Sequence, residues 1–111
     1  RRLRRKGVFP SVRSGRNSAL NLNYTPEAGA DLDAIFDYIG QRDPKIADQI
    51  IHRILQAIAI LETFPLLGRP GRIDGTREFP LSNLPYFAVY RIPDEIQIDI
   101  IAVMHMAREF P

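Results

Sequence analysis

"YTPEAGADLDAIFDYIGQRDPKIADQIIHRILQAIAILETFP", residues Tyr24 to Pro65, contains two helices and the turn between them. Thr25-Pro26-Glu27 is a helix start: a hydroxyl to accept a free backbone N–H, a proline in the first turn where no N–H is needed, and an acid at the positive helix end. Ala28, Leu32, Ile35, Phe36 and Ile39 recur at helical spacing and predict one buried face, with Asp31, Asp33 and Asp37 largely off it. Gly40 is the expected stop. Asp43-Pro44 opens a second helix, whose stripe Ala47, Ile50, Ile54, Ile58 and Leu61 runs for about five turns to Thr63 and ends before Phe64-Pro65. The short link between the two makes them antiparallel neighbours.

Strands flank this hairpin. Upstream, "ALNLNYT" (Ala19 to Thr25) alternates through Leu20, Leu22 and Tyr24, as a half-buried strand does. Downstream, "FPLLGRPGRIDG" is rich in Gly and Pro and reads as a surface connector. Three strand patterns follow it. "TREFPLS" sets Arg77, Phe79 and Leu81 on one side, and its Pro80 favours an edge. "YFAVYRI" covers Tyr86 to Ile92, and "EIQIDIIAVMHM" covers Glu95 to Met106. The last alternates through Ile96, Ile98, Ile100, Ala102 and Met104, is apolar on both sides from Ile100 to Met104, and so predicts a central strand. Pro93-Asp94 makes the turn joining the last two strands into a hairpin. The order β-α-α-β-β-β predicts an α+β domain: a helical hairpin packed on a twisted, mainly antiparallel sheet.

The chain has 111 residues, enough for one core, and a net charge of +2 that conceals a division. Residues 1–16 carry seven Arg or Lys and no acid; the remaining eight bases face 13 acids, a balance of −5 for residues 17–111. Residues 1–18 therefore read as a basic tail, and 19–111 as a single acidic domain. Upstream sequence joined to the domain, a charge-driven binding arm and a targeting segment all fit the tail's composition. A nucleic-acid-binding domain normally carries a basic face, which 17–111 lacks in balance. No apolar run is long enough to span a membrane. Zero cysteines exclude a thiolate nucleophile and a disulfide framework, and two histidines give little for a metal. Neither a metal nor a cofactor is expected.

One reaction merits testing against these residues: metal-free cleavage of RNA. It needs proton transfer near a 2′-hydroxyl and at the leaving oxygen, and cations to stabilise charge on phosphorus. Arg77, Tyr90, Arg91, His105 and Arg108 are the candidates, with His105 the proton-transfer group because imidazole titrates near neutrality. The structural alternative makes His105 a hydrogen-bonded strand-end residue and pairs Arg77 and Arg91 on the solvent face with Glu78 or Glu95. The tetrapeptide Arg-Glu-Phe-Pro occurs at 77–80 and again at 108–111, too short for a structural repeat.

Taken in order, "YTPEAGADLDAIFDYI", the "DP" opening a long helix, "LETFPLLGRPGR", "GTREF", "PYFAVYRI" and "VMHMAREFP" resemble the RelE/ParE superfamily of toxins from bacterial type II toxin-antitoxin modules, the ParE branch in particular. The resemblance spans Leu22 to Pro111 and implies the same α+β fold. RelE-like members cut messenger RNA on the ribosome with basic sheet residues and a C-terminal Tyr or His, whereas ParE-like members inhibit DNA gyrase. Phe79 and Phe87 stand where the ribonuclease branch tends to carry basic residues, and Pro111 falls about where its catalytic Tyr is expected.

The resemblance thus implies a cytoplasmic bacterial toxin that binds DNA gyrase and has no chemistry of its own. Its target contacts are expected around His105 and Arg108. A ParD-like antitoxin is the second implied partner, in a toxin-antitoxin hetero-oligomer, docking a helix or strand against the helical hairpin with Ile46, Ile51 and Leu55 as the apolar lining. Two alternatives remain open: a ribosome-dependent ribonuclease using Arg77, His105 and Arg108, and an inactive antitoxin-binding module.

Overall fold

The computed structural model describes residues 20–107, so the basic tail expected at 1–18 lies outside the described residues. Its elements are β1 (Asn21–Tyr24), α1 (Pro26–Gly40), α2 (Pro44–Ala59) with a closing 3-10 turn (Ile60–Glu62), β2 (Arg69–Pro70), β3 (Arg77–Pro80), β4 (Tyr86–Arg91) and β5 (Gln97–His105). They form one five-stranded sheet in the order β1-β5-β4-β3-β2, antiparallel except that β1 runs parallel to β5. The predicted α+β architecture and element order are therefore present, with β2 as an addition.

Both helices begin as their sequences dictate. The Thr25 hydroxyl accepts the Ala28 N–H at 3.2 Å and donates to the Ile100 carbonyl at 3.0 Å, so one residue caps α1 and fastens it to the central strand. The Asp43 carboxylate accepts the N–H groups of Lys45 and Ile46, each at 3.1 Å. From α2 and its closing turn, Ala47, Ile54, Ile58 and Leu61 are completely buried, which matches the predicted stripe. Ile54, Ile58 and Leu61 meet Tyr86, Ala88, Tyr90, Ile98, Ile100 and Val103 of the sheet in a single core. Phe36, at the margin of the α1 stripe, stays 40% exposed.

Four details differ from the sequence expectations, each for a local physical reason. The sheet register jumps from Val89↔Ala102 to Tyr90↔Ile100, which makes Ile101 the extra residue of a β-bulge. Alternation therefore reverses within β5: Ile98 and Ile100 face the helices before the bulge, and Val103 does so after it. Ala102 and Met104, expected on the side of Ile98, lie on the opposite face. The connector is not all loop, because Arg69 and Pro70 pair with Glu78 and Arg77 as β2. With β2 outermost, β3 is not the edge, and Pro80 is tolerated because β2 stops short of it.

The fourth difference concerns Asp31, expected off the buried face. Its carboxylate accepts the Val103 N–H at 2.9 Å. β1 ends its pairing at Tyr24↔Ile100, so β5 beyond that point lacks a strand on this side and α1 supplies the acceptor instead. Asp31→Ala should therefore cost about 1–2 kcal/mol of stability, since hydrogen bonds to charged acceptors are the stronger ones. Faster amide exchange at Val103, with the β4 side of the ladder unaffected, is the local signature to look for.

Candidate functional site

Arg77 opens β3 opposite Tyr90. Both side chains hold the connector that follows α2. The completely buried Tyr90 donates its hydroxyl proton to the Pro65 carbonyl at 2.6 Å and accepts the Gly68 N–H at 2.9 Å. Arg77 Nη1 donates to the Gly68 carbonyl at 2.6 Å and the Leu66 carbonyl at 3.4 Å. Burial pushes the Tyr90 phenol up, and the Gly68 N–H and the Arg77 charge offset part of that rise. A phenol engaged by backbone as both donor and acceptor is a tether. Sequence makes both Arg77 and Tyr90 chemical candidates and offers an acid-paired solvent-face role as the alternative for Arg77; the structure instead engages both side chains with connector backbone.

The sheet face away from the helices is closed at its β2–β4 side. Glu78 is 3% exposed and accepts the Arg72 N–H at 3.1 Å, with Arg72 Nε at 3.6 Å and Arg69 Nη2 at 3.9 Å. The Arg72 guanidinium also lies 5.9 Å from the centre of the Phe87 ring, a cation–π contact. Phe87 is buried, while Phe79 turns to the other face and packs against the core. The two positions singled out from sequence thus have unlike surroundings.

Further along this face, Asp99 links three strands: its carboxylate accepts from Gln97 at 2.7 Å, from Asn23 of β1 at 3.1 Å, and from Arg91 of β4 at 3.4 Å. Arg91 accordingly pairs with Asp99, and not with Glu95 as the sequence suggested. Burial alone would raise the Asp99 carboxyl, but the Gln97 and Asn23 hydrogen bonds and the Arg91 charge outweigh it and hold the group below its ordinary value. Since the folded carboxyl titrates below the unfolded one, its contribution is complete above about pH 4 and is lost as pH falls through the folded value. Asp99→Asn should flatten this part of the acid limb, read from urea unfolding at a series of pH values.

His105 lies at the far end of the sheet. It pairs with Tyr86, and the two rings meet edge to face with centroids 5.3 Å apart. Its Nδ1 accepts the Ala107 N–H at 3.0 Å, which assigns the imidazole proton to Nε2, while the residue as a whole stays exposed. Arg77 pairs with Tyr90 and His105 with Tyr86, so four residues of β4, about 13 Å, separate them along the strand. The structure does not bring these two together, and Arg108 lies outside the described residues.

The candidate antitoxin lining is also divided. At 3.6 residues per turn, Ile51 and Leu55 share one flank of α2, whereas Ile46 is about 180° from Leu55 on the other. Ile46 is 42% exposed, and Ile51 and Leu55 are half-buried. Among the described residues no three His, Asp or Glu side chains are grouped to hold a metal ion, and no helix is long and apolar enough to cross a membrane.

Comparison with known proteins places these features in a family. The profile described as "ParE toxin of type II toxin-antitoxin system, parDE" matches residues 22–110. "Putative toxin Y4kP" of Sinorhizobium fredii is 38% identical over 94 residues, covering 85% of this chain and 96% of the relative. Among solved structures, the chromosomal ParDE system of P. aeruginosa matches with a TM-score of 0.72 at 28% identity, covering 80% of this chain and 98% of that one. The toxin-antitoxin complex RelBE2 of Mycobacterium tuberculosis matches with a TM-score of 0.52 at 25% identity, covering 78% of this chain and 98% of that one. With the family profile covering nearly the whole described domain and a curated relative aligned almost end to end, this chain belongs to the ParE toxin family of type II toxin-antitoxin systems.

Proposed function

We propose that this toxin acts by binding and inhibiting DNA gyrase, with no chemistry of its own, and that a ParD-like antitoxin neutralises it. The observation that carries the binding reading is the separation of the groups a nuclease would need to combine. Arg77 is committed to two carbonyls at one end of the β4 ladder, and His105 stands at the other. The opposite face of the sheet carries Phe87 and a buried Glu78 under Arg72, which supplies no cluster of cations for a phosphate in its transition state. The likeness to a ParDE system, higher in TM-score than that to RelBE2, favours the same branch.

His105, through its outward Nε2–H, and Arg108 are the proposed target contacts. The two α2 flanks, Ile46 on one and Ile51 with Leu55 on the other, are the proposed antitoxin contacts, in a hetero-oligomer of toxin and antitoxin. Gyrase as target places the action in the bacterial cytoplasm. Both similar structures belong to toxin-antitoxin systems, which supports a protein partner of this kind.

Purified toxin titrated into a gyrase supercoiling reaction should inhibit it, and added antitoxin should restore it. His105→Ala should weaken inhibition while leaving the fold intact, because the residue is exposed. Normal supercoiling at excess toxin would overturn the target. Cuts in translated messages that disappear in His105→Ala or Arg77→Ala would instead establish ribonuclease action.

A further inference from the structure

Arg77 is half-buried, and among the described residues it has no carboxylate partner. A desolvated cation is normally paired, and only Nη1 of this one is occupied, by the Leu66 and Gly68 carbonyls. Arg77 borders an open depression of about 350 Å³ between the connector and the end of β4, and its fork has further donors to offer. Arg91 stands on the same rim, its side chain 51% exposed and held to Asp99 through Nε. Leu66, Pro70, Gly75, Thr76 and Ile92 complete the lining, which contains no acid. Leu66 is 67% exposed, so an apolar wall adjoins two guanidinium groups.

We infer that this depression receives an acidic, aliphatic-rich segment of a partner protein. An Asp or Glu carboxylate of that segment would lie between Arg77 and Arg91, with a neighbouring aliphatic side chain against Leu66 and Ile92. Charge layout favours this site over the surface of α1, where Glu27, Asp33 and Asp37 are all exposed with no basic residue among them. A negatively charged segment is repelled from that helix and attracted to the rim formed by Arg77 and Arg91. Carboxylate against guanidinium supplies orientation, and the leucine wall supplies burial. The inference is independent of which enzyme the toxin inhibits.

The test uses the full chain, isotope-labelled for NMR, and the probe peptide acetyl-Leu-Glu-Leu-Asp-Leu-amide against its amide counterpart, acetyl-Leu-Gln-Leu-Asn-Leu-amide. The acidic peptide should produce saturable shifts at the Nε–H groups of Arg77 and Arg91 and at the amides of Thr76 and Ile92, weakening with salt. Arg91→Gln and, separately, Leu66→Ser should each weaken binding, the former about tenfold. Both positions are solvent-accessible, and unchanged Tyr86 and His105 signals would show the fold intact. Absence of saturable shifts, equal shifts from the neutral peptide, or equal shifts at Arg42, Lys45 and Arg53 on the helical hairpin would each overturn the proposal. So would inorganic phosphate binding with the affinity of the acidic peptide, which would reduce the depression to a simple anion site.

Discussion

Gly68→Ala should destabilise the domain by about 2–4 kcal/mol, the range expected when a core is overpacked and buried hydrogen bonds are lost with it. A Cβ at this position would lie 2.6 Å from the Tyr90 hydroxyl oxygen, 2.7 Å from Cε1 and 3.0 Å from Cζ. Tyr90 cannot yield cheaply. Its ring is completely buried in the core, and any retreat breaks the bonds to Pro65 and Gly68. The comparison that isolates the mechanism is the same substitution in a Tyr90→Phe background. Removing the hydroxyl takes away the nearest clashing atom and both of the bonds at stake, so the second change should cost at least about 1 kcal/mol less there. Urea midpoints of the four proteins give this coupling directly. Equal cost in both backgrounds would mean that the connector moves and the ring does not.

Glu78→Ala is the second large effect, expected at about 2–3 kcal/mol. The carboxylate is almost inaccessible, and its removal leaves the Arg72 N–H without its acceptor. The long, mostly solvent-facing ion pairs to Arg69 and Arg72 contribute little by comparison. Glu78→Gln keeps an acceptor of the same reach and should lose about half as much. The distinction matters because an ion-pair explanation predicts that Ala and Gln behave alike and that high salt mimics both. A strong salt dependence of the wild-type protein with equivalent Ala and Gln variants would favour that explanation. Loosening of this anchor should also appear as faster amide exchange from Arg69 to Thr76.

How much of this was legible in the sequence follows from how local each feature is. Helix starts at Thr25 and Asp43 and the α2 stripe depend on neighbours within one or two turns, and they were readable to the residue. The bulge at Ile101 was not, because Ile100 to Met104 is apolar at every position and either alternation fits. β2 is Arg-Pro, two residues long, too short to show a period. Asp31 lies three residues from buried Ala28, close enough to the helix margin to reach a strand, but the free N–H it meets exists only because β1 ends early. In the candidate site, His105 stands at a strand end with a local hydrogen bond, which is compatible with each of the roles its sequence position suggests. Arg77 was misjudged, because its partners are carbonyls of a loop folded back from nine and eleven residues upstream. Tyr90 carries a usable signal, since a polar group inside a strand that is otherwise apolar has to be satisfied by something distant, whereas Glu78, beside Arg77 in β3, carries none.

The position of β5 has a consequence for how the protein comes into being. It occupies the second place in the sheet, between β1 and β4, yet it comes last in chain order among the described strands. The Asn23–Asp99 bond spans 76 residues, so β1 waits for nearly the whole domain before it has anything to pair with. Until Gln97 to His105 leaves the ribosome, the helical hairpin lacks much of the sheet it packs on, and the contacts that remain to be closed are the slow, long-range ones. The apolar faces of both helices therefore stay uncovered until the strand that sits beside β1 is in place, so the domain closes late and through its most distant pairings.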